Sequence, residues 1–255
     1  MTNDALITQL LPEWTQFRDR AAAGDPAGGT ACAAWTTRDV VAHQAGNAVE
    51  LARVLSAHLA GRPVPKTRSF EEREPPFRQL GDDDRLAALE RAVDDLARVL
   101  EAGLDQPDTW VPWTGRRMKV AWFGEHMRSE LILHRWDLVG DDPVGTELLG
   151  QPWMTTHSVD AVGEPLLRRG AAGLADSEFT GRLRAPGQPD VLLTGGSRPG
   201  ITLADADPGA PADLRTDPAA RVLLLWGRTP GDPSRLVSDA GPERLGRLRA
   251  LLSGY

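Results

Sequence analysis

Four stretches in the first 140 residues repeat apolar side chains at the spacing of an α-helix, and they constrain the fold more than any other feature. The clearest is DDDRLAALERAVDDLARVLEAG (82–103), where Leu86, Leu89, Val93, Leu96 and Leu100 line one face. Its three leading aspartates suit the positive end of a helix dipole. WTTRDVVAHQAGNAVELARVLSAHLAG (35–61) opens with Thr36 as an N-cap and Asp39 three residues on. Its stripe runs through Val40, Ala45, Ala48, Leu51, Val54 and Leu55 and stops at Gly61. LLPEWTQFRDRAAAG (10–24) places Pro12 in a first turn, where a missing N–H costs little, and Gly24 past the end. KVAWFGEHMRSELILHRWDLVG (119–140) is the fourth, ending at Gly140. Residues 62–80, rich in Pro, Arg and Glu, read as a long loop, and the aromatic stretch 107–118 reads as a turn. Four helices with one long connection predict a four-helix bundle.

After residue 140 the pattern changes. Residues 141–152 read as a linker, and 153–171 as one helix interrupted near Gly163 and Pro165. Short β-like runs then alternate with Gly and Pro: FTGRLRA, DVLLTG and GITLAD. TDPAARVLLLWGR begins with an Asp-Pro helix start, and GPERLGRLRALLSGY closes the chain as an amphipathic helix. The expected fold class is therefore α+β, with a helical bundle over 1–145 and a smaller α+β domain over 146–255. A length of 255 residues accommodates two such units at the usual domain size of about 100–200 residues.

A net charge of −7 argues against nucleic acid and anionic membranes as partners. No apolar run approaches a membrane span, and the acidic start MTNDALITQL does not read as a signal peptide. The single cysteine, Cys32, excludes an internal disulfide and suits a reducing cytoplasm. In GGTACAAW it reads as a packed loop thiol rather than a nucleophile.

The chemistry-bearing residues concentrate in SELILHRWDL (129–138). Glu130 and His134, one helical turn apart, project side by side. A carboxylate and an imidazole on one bundle-facing ridge can both bind a divalent metal, although most such pairs are simple i,i+4 partners on a wet surface. His126 lies one turn upstream on the same ridge. It is about 12 Å along the axis from His134, too far for both to ligate one ion in a regular helix. A further ligand must come from another helix, and His43, on the apolar face of DVVAHQAG, is the leading candidate. Asp137 could orient a ligand or pair with Arg135. His58 and His157 lack a companion acid and read as surface or packing groups, while Trp122 and Trp136 read as core fillers.

WTTRDVVAHQAG followed by SELILHRWDL resembles the mycothiol-dependent maleylpyruvate isomerase family, whose N-terminal domain is a DinB-like, metal-binding four-helix bundle. Trp35, Asp39 and His43 match the first family motif, and Glu130, His134, Trp136 and Asp137 match the second. ADLRTDPAARVLLLWGR resembles the family's C-terminal domain, which is related to sterol-carrier folds, so the resemblance spans nearly the whole chain. It implies that His43, Glu130 and His134 hold a divalent metal, zinc foremost, with one position open for water or a thiol. The implied thiol is mycothiol, a low-molecular-weight thiol of actinobacteria, and the implied partner is a small electrophile. Addition of the thiolate to a cis double bond, rotation and expulsion would isomerise it; retention of the thiol would make the protein an S-transferase. Arg228 matches a family arginine and is implied to hold mycothiol or an acidic substrate, against the alternative of an ordinary arginine at a helix end. His126 lies outside the shared trio and remains a candidate proton shuttle or supporting group. Two other readings stay open: a non-catalytic metal- or small-ligand-binding protein, and a non-haem iron site, which the same donor set also suits. The expected state is a cytoplasmic monomer or homodimer.

Overall fold

The computed structural model describes residues 3–114, 116–171 and 178–253, which form two compact units, 1–139 and 140–255. Among the described residues no helix is long and apolar enough to cross a membrane.

In the first unit, α1 (Asn3–Leu10) and α2 (Trp14–Ala23) replace the single helix expected over 10–24. Pro12 sits between them rather than inside a first turn, because it has no N–H to donate and its ring obstructs the preceding carbonyl. Apolar burial nevertheless continues across the break through Leu6, Ile7, Leu11, Trp14 and Phe17. The third helix, α3 (Thr37–Leu59), starts where its cap predicts: Asp39 Oδ2 accepts from the Thr36 N–H at 2.9 Å and from its hydroxyl at 2.6 Å.

The expected loop contains two single-turn helices, α4 (Phe70–Arg73) and α5 (Pro75–Arg78), the first capped through Ser69 and Glu72. It is followed by α6 (Asp82–Ala102). The aromatic turn is an antiparallel hairpin of β1 (Trp110–Trp113) and β2 (Arg116–Lys119), which leads into α7 (Val120–Val139). That helix stops at Gly140, whose φ of +73° is open to glycine at little cost.

The helices close a ring. α3 packs on α6 and α7, α7 on α2, and α6 on α1. Leu51, Leu55, Leu89, Leu96, Phe123, Met127 and Leu131 fill its interior with no exposed surface. Each such side chain contributes about 1.5–3 kcal/mol through burial. Trp136 is buried as expected; Trp122 is only half-buried, packing its edge against Trp110.

In the second unit the supposed linker is helical. Asp142 caps α8 (Pro143–Leu149) by accepting the Gly145 N–H at 2.6 Å. The helix expected over 153–171 divides into α9 (Pro152–His157), a wider π-type turn (Ser158–Gly163) and α10 (Glu164–Ala171), with Pro165 in the first turn of α10. His157 is a buried packing group beside Trp153. Among the described residues five strands follow: β3 (Phe179–Arg184), β4 (Asp190–Gly195), β5 (Gly200–Ala204), β6 (Leu214–Thr216) and β7 (Leu236–Val237). Their order is β5-β4-β3-β6-β7, antiparallel except between β3 and β6.

Between the last two strands lies α11 (Pro218–Leu225), whose cap Asp217 accepts the Ala220 N–H at 2.9 Å, and α12 (Pro242–Leu252) closes the unit. Leu183, Val191, Leu193, Val222, Leu223 and Leu251 form its apolar interior. Inside it lies the fully buried cation of Arg221, which donates to Pro189 O and Gln188 Oε1, each at 2.6 Å, and to Thr155 Oγ1 at 3.2 Å. Burial lowers its pKa to about 10.

Candidate metal site

The contact between α3 and α7 brings together residues that lie 87 positions apart. His43 projects from α3, and Glu130 and His134 project from successive turns of α7. All three are buried, and one ligand atom from each lies within 4.8 Å of the others. Both imidazoles turn Nε2 toward the same carboxylate oxygen: Glu130 Oε2 is 3.4 Å from His43 Nε2 and 3.4 Å from His134 Nε2. That spacing is long for a hydrogen bond. It equals the edge of about 3.4 Å expected between tetrahedral ligands 2.0–2.1 Å from one ion.

Each histidine is also held from behind. Glu74 Oε1 lies 2.7 Å from His43 Nδ1, and Asp137 Oδ2 lies 2.7 Å from His134 Nδ1. A carboxylate on Nδ1 favours the tautomer that protonates this nitrogen and leaves the Nε2 lone pair facing inward, the usual arrangement of metal-binding histidines. Arg78 donates to Glu74 Oε2 through Nε and Nη2, at 3.1 and 2.8 Å, and also pairs with Asp39 of the α3 cap. Gln44 Nε2 donates to the Glu130 carbonyl at 3.1 Å, tying α3 to α7 at the level of the site. The donor set therefore fits a divalent metal.

Aromatic rings wall the cluster. Trp35 stacks on His134 at 5.7 Å between centroids and lies 4.8 Å from His43, and Phe70 meets His43 edge-on at 5.1 Å. Burial raises the Glu130 carboxyl, but the imidazoles of His134, His43 and His126 around it outweigh burial and hold the group well below the usual range. Burial likewise lowers His134, and the carboxylates of Asp137 and Glu130 overcome it, so the imidazole pKa is raised. Glu74 is held below its ordinary value because His43 and Arg78 outweigh its desolvation.

His126 lies beside the trio without joining it. Its Nε2 is 3.9 Å from Glu130 Oε1, the oxygen turned away from the other two histidines, and its ring packs near Trp113. Arg228 belongs to the second unit. It is half-buried just past α11, its N–H donating to Leu223 O at 2.8 Å and its Nη1 to Trp226 O at 3.0 Å.

Sequence reasoning missed Glu74, Phe70 and Arg73, all within the stretch read as loop. The Ser-x-x-Glu of Ser69 and Glu72 is a capping-box signal that could have flagged helical order there. Nothing in sequence spacing could have matched Glu74 to His43.

Fold and geometry define the class: a helical bundle whose interior holds two imidazoles and a carboxylate positioned as for one metal ion, in a chain with a following α+β unit. The family model described as the mycothiol maleylpyruvate isomerase N-terminal domain matches residues 8–139, just over half of the chain. The chain belongs to the mycothiol maleylpyruvate isomerase family. Two crystal structures of the mycothiol-dependent maleylpyruvate isomerase, one of them a histidine-to-alanine mutant, share its fold. Each matches with a TM-score of 0.65 at 18% identity, covering 95% of both chains. No curated protein matches the chain at a significant level.

Proposed function

We propose that this protein is a metal-dependent, mycothiol-using enzyme that isomerises a maleylpyruvate-like substrate or transfers the thiol to a small electrophile. The convergence of His43 Nε2 and His134 Nε2 on Glu130 Oε2, with a carboxylate behind each imidazole, carries this reading. Family membership supports mycothiol as the thiol.

His43, Glu130 and His134 would hold the ion, and two imidazoles with one carboxylate suit zinc and leave a tetrahedral position free. The chemistry a bound zinc ion supplies is deprotonation of a thiol near neutral pH, where a free thiol with a pKa of about 8.5 stays mostly protonated. Glu74 and Asp137 hold the ligand tautomers. Trp35, packed against both imidazoles, shields that side of the site from water, which strengthens the charge interactions there. His126 Nε2, beside Glu130 Oε1, is placed to take up or return a proton. Arg228 is assigned to holding an acidic group of mycothiol or substrate. On this reading residues 1–145 are the DinB-like metal-binding domain, 146–255 are a sterol-carrier-like domain, and the enzyme is cytoplasmic, a monomer or homodimer.

Two measurements test the proposal. Metal analysis should find about one zinc per chain in the wild type and almost none in Glu130→Ala and His134→Ala. Incubation with mycothiol and maleylpyruvate, read by chromatography and mass spectrometry, should show either an isomer of unchanged mass or a thiol adduct. Metal retained by the variants would sink the site assignment. Intact metal without turnover of maleylpyruvate or a panel of electrophiles would make the chain a binding protein.

A further inference from the structure

The apolar interior of the second unit is not completely filled. A cavity of about 160 Å³ lies between Leu183 of β3, Leu214 of β6, Leu224 of α11, and Leu245, Leu248 and Leu252 of α12. The last three follow helical spacing and share the inward face of α12. Two close contacts hold that helix where it is. Leu248 packs on Gly181 of β3, and the Leu251 carbonyl on Gly170 of α10, so tightly that a Cβ at either glycine would collide. The helix therefore already rests on backbone at two points and does not settle into the space.

Protein interiors keep few voids larger than a water molecule. A leucine-lined cavity of ~150 Å³ stays dry and takes up benzene. Water finds little to bond here, because the polar lining is Ser238, whose hydroxyl already donates to the Asp213 carbonyl, and Arg249. Arg249 is exposed, at the rim. It makes no hydrogen bond or ion pair among the described residues, whereas Arg215, Arg235 and Arg244 pair with Asp239, Asp217 and Asp213. We propose that this cavity binds a small aromatic carboxylate, its ring among the leucines and its charge on the Arg249 guanidinium. The volume suits one benzene-sized ring and is too small for a sterol or a long acyl chain. The lining belongs wholly to the second unit, so the inference does not depend on the metal reading.

The test is a titration of the full-length protein, carbon-13-labelled at its leucine methyls, with phenylacetate and its uncharged counterpart phenylacetamide. Both should shift the Leu183, Leu214, Leu248 and Leu252 methyl resonances saturably, phenylacetate at the lower concentration. The Leu131 and Leu133 resonances of α7, next to the metal donors, report any ligation of a metal separately. Arg249→Gln should weaken phenylacetate about three- to fivefold, as expected for a partly exposed charge pair, and leave phenylacetamide unchanged. Leu245→Trp, which puts an indole into the space, should abolish binding of both. If that variant fails to fold, the wild-type shifts and Arg249→Gln still decide. No saturable shift of the second-unit leucines, or shifts confined to Leu131 and Leu133, would overturn the site. Equal affinity for the two ligands, or phenylacetate affinity unchanged in Arg249→Gln, would overturn the assignment of an anion.

Discussion

Glu74 grips His43 across 31 residues of chain, its Oε1 lying 2.7 Å from the imidazole Nδ1. The contact joins the segment between α3 and α6 to the candidate metal site and fixes which nitrogen of His43 faces Glu130. Replacing Glu74 with Gln keeps the shape but removes the charge that supports the ligand. Metal affinity should fall about 10–100-fold, as it does when such supporting carboxylates are removed elsewhere. Competition against a chromogenic chelator measures it, and an affinity equal to wild type would show that Glu74 only packs.

Gly46, one turn beyond His43 on α3, lets that segment approach. A Cβ there would lie 3.3 Å from Glu74 Cγ and 3.4 Å from both Arg73 Cγ and the Arg73 carbonyl oxygen. Gly46→Val adds two further methyls to a contact that is already tight. It should lift α4 and α5 away, lower the melting temperature and weaken metal binding several-fold while far-ultraviolet circular dichroism stays helical. Unchanged metal affinity would mean that Glu74 can follow His43 without this close approach.

Glu50 provides a pH test away from the metal ligands. Its carboxylate is fully buried and accepts from Arg53 and from both the backbone and side chain of Arg68. Burial alone would raise its pKa, but those bonds outweigh it and hold the group below its ordinary value of 4.5. A carboxyl depressed on folding contributes stability above its unfolded pKa and loses it as pH falls through the folded value. The melting temperature should therefore drop as pH falls below 4.5, and Glu50→Gln should flatten part of that slope while costing about 1–3 kcal/mol at pH 7. Parallel pH curves for the two proteins would refute the assignment.

In the second unit, Arg221→Leu leaves the Pro189 carbonyl without its buried side-chain donor and Gln188 Oε1 with only the Thr155 hydroxyl. The cost should be about 3 kcal/mol, seen as reduced denaturant resistance of that unit. Zinc content should be unaffected, because its donors all lie in the first unit. A loss below about 1 kcal/mol would mean that the guanidinium's desolvation cancels its bonds.

The periodic helices and the Thr36–Asp39 cap were legible because they depend on neighbours within one or two turns. So were the side-by-side projection of Glu130 and His134 and the β-runs of the second unit. The breaks were harder to read. Pro12 is acceptable either inside a first turn or between helices, and local sequence does not choose between them; in the fold it lies at a break flanked by the buried Leu11 and Trp14. Residues 70–78 form two turns too short to show a period, and residues 143–149 a helix of two turns whose Pro and Gly imitate a linker.

The sequence by itself determined which segments are helices, which are strands, and that an acid and an imidazole share one ridge of α7. Tertiary structure decided what that ridge is for. It set His43 against Glu130, placed Glu74 and Asp137 behind the two imidazoles, turned His126 toward the other oxygen, and left Arg73 buried beside Phe70. Helical spacing is written in backbone geometry over a few residues. The meeting of groups 31 and 87 positions apart depends on how whole helices pack, and no local pattern encodes that.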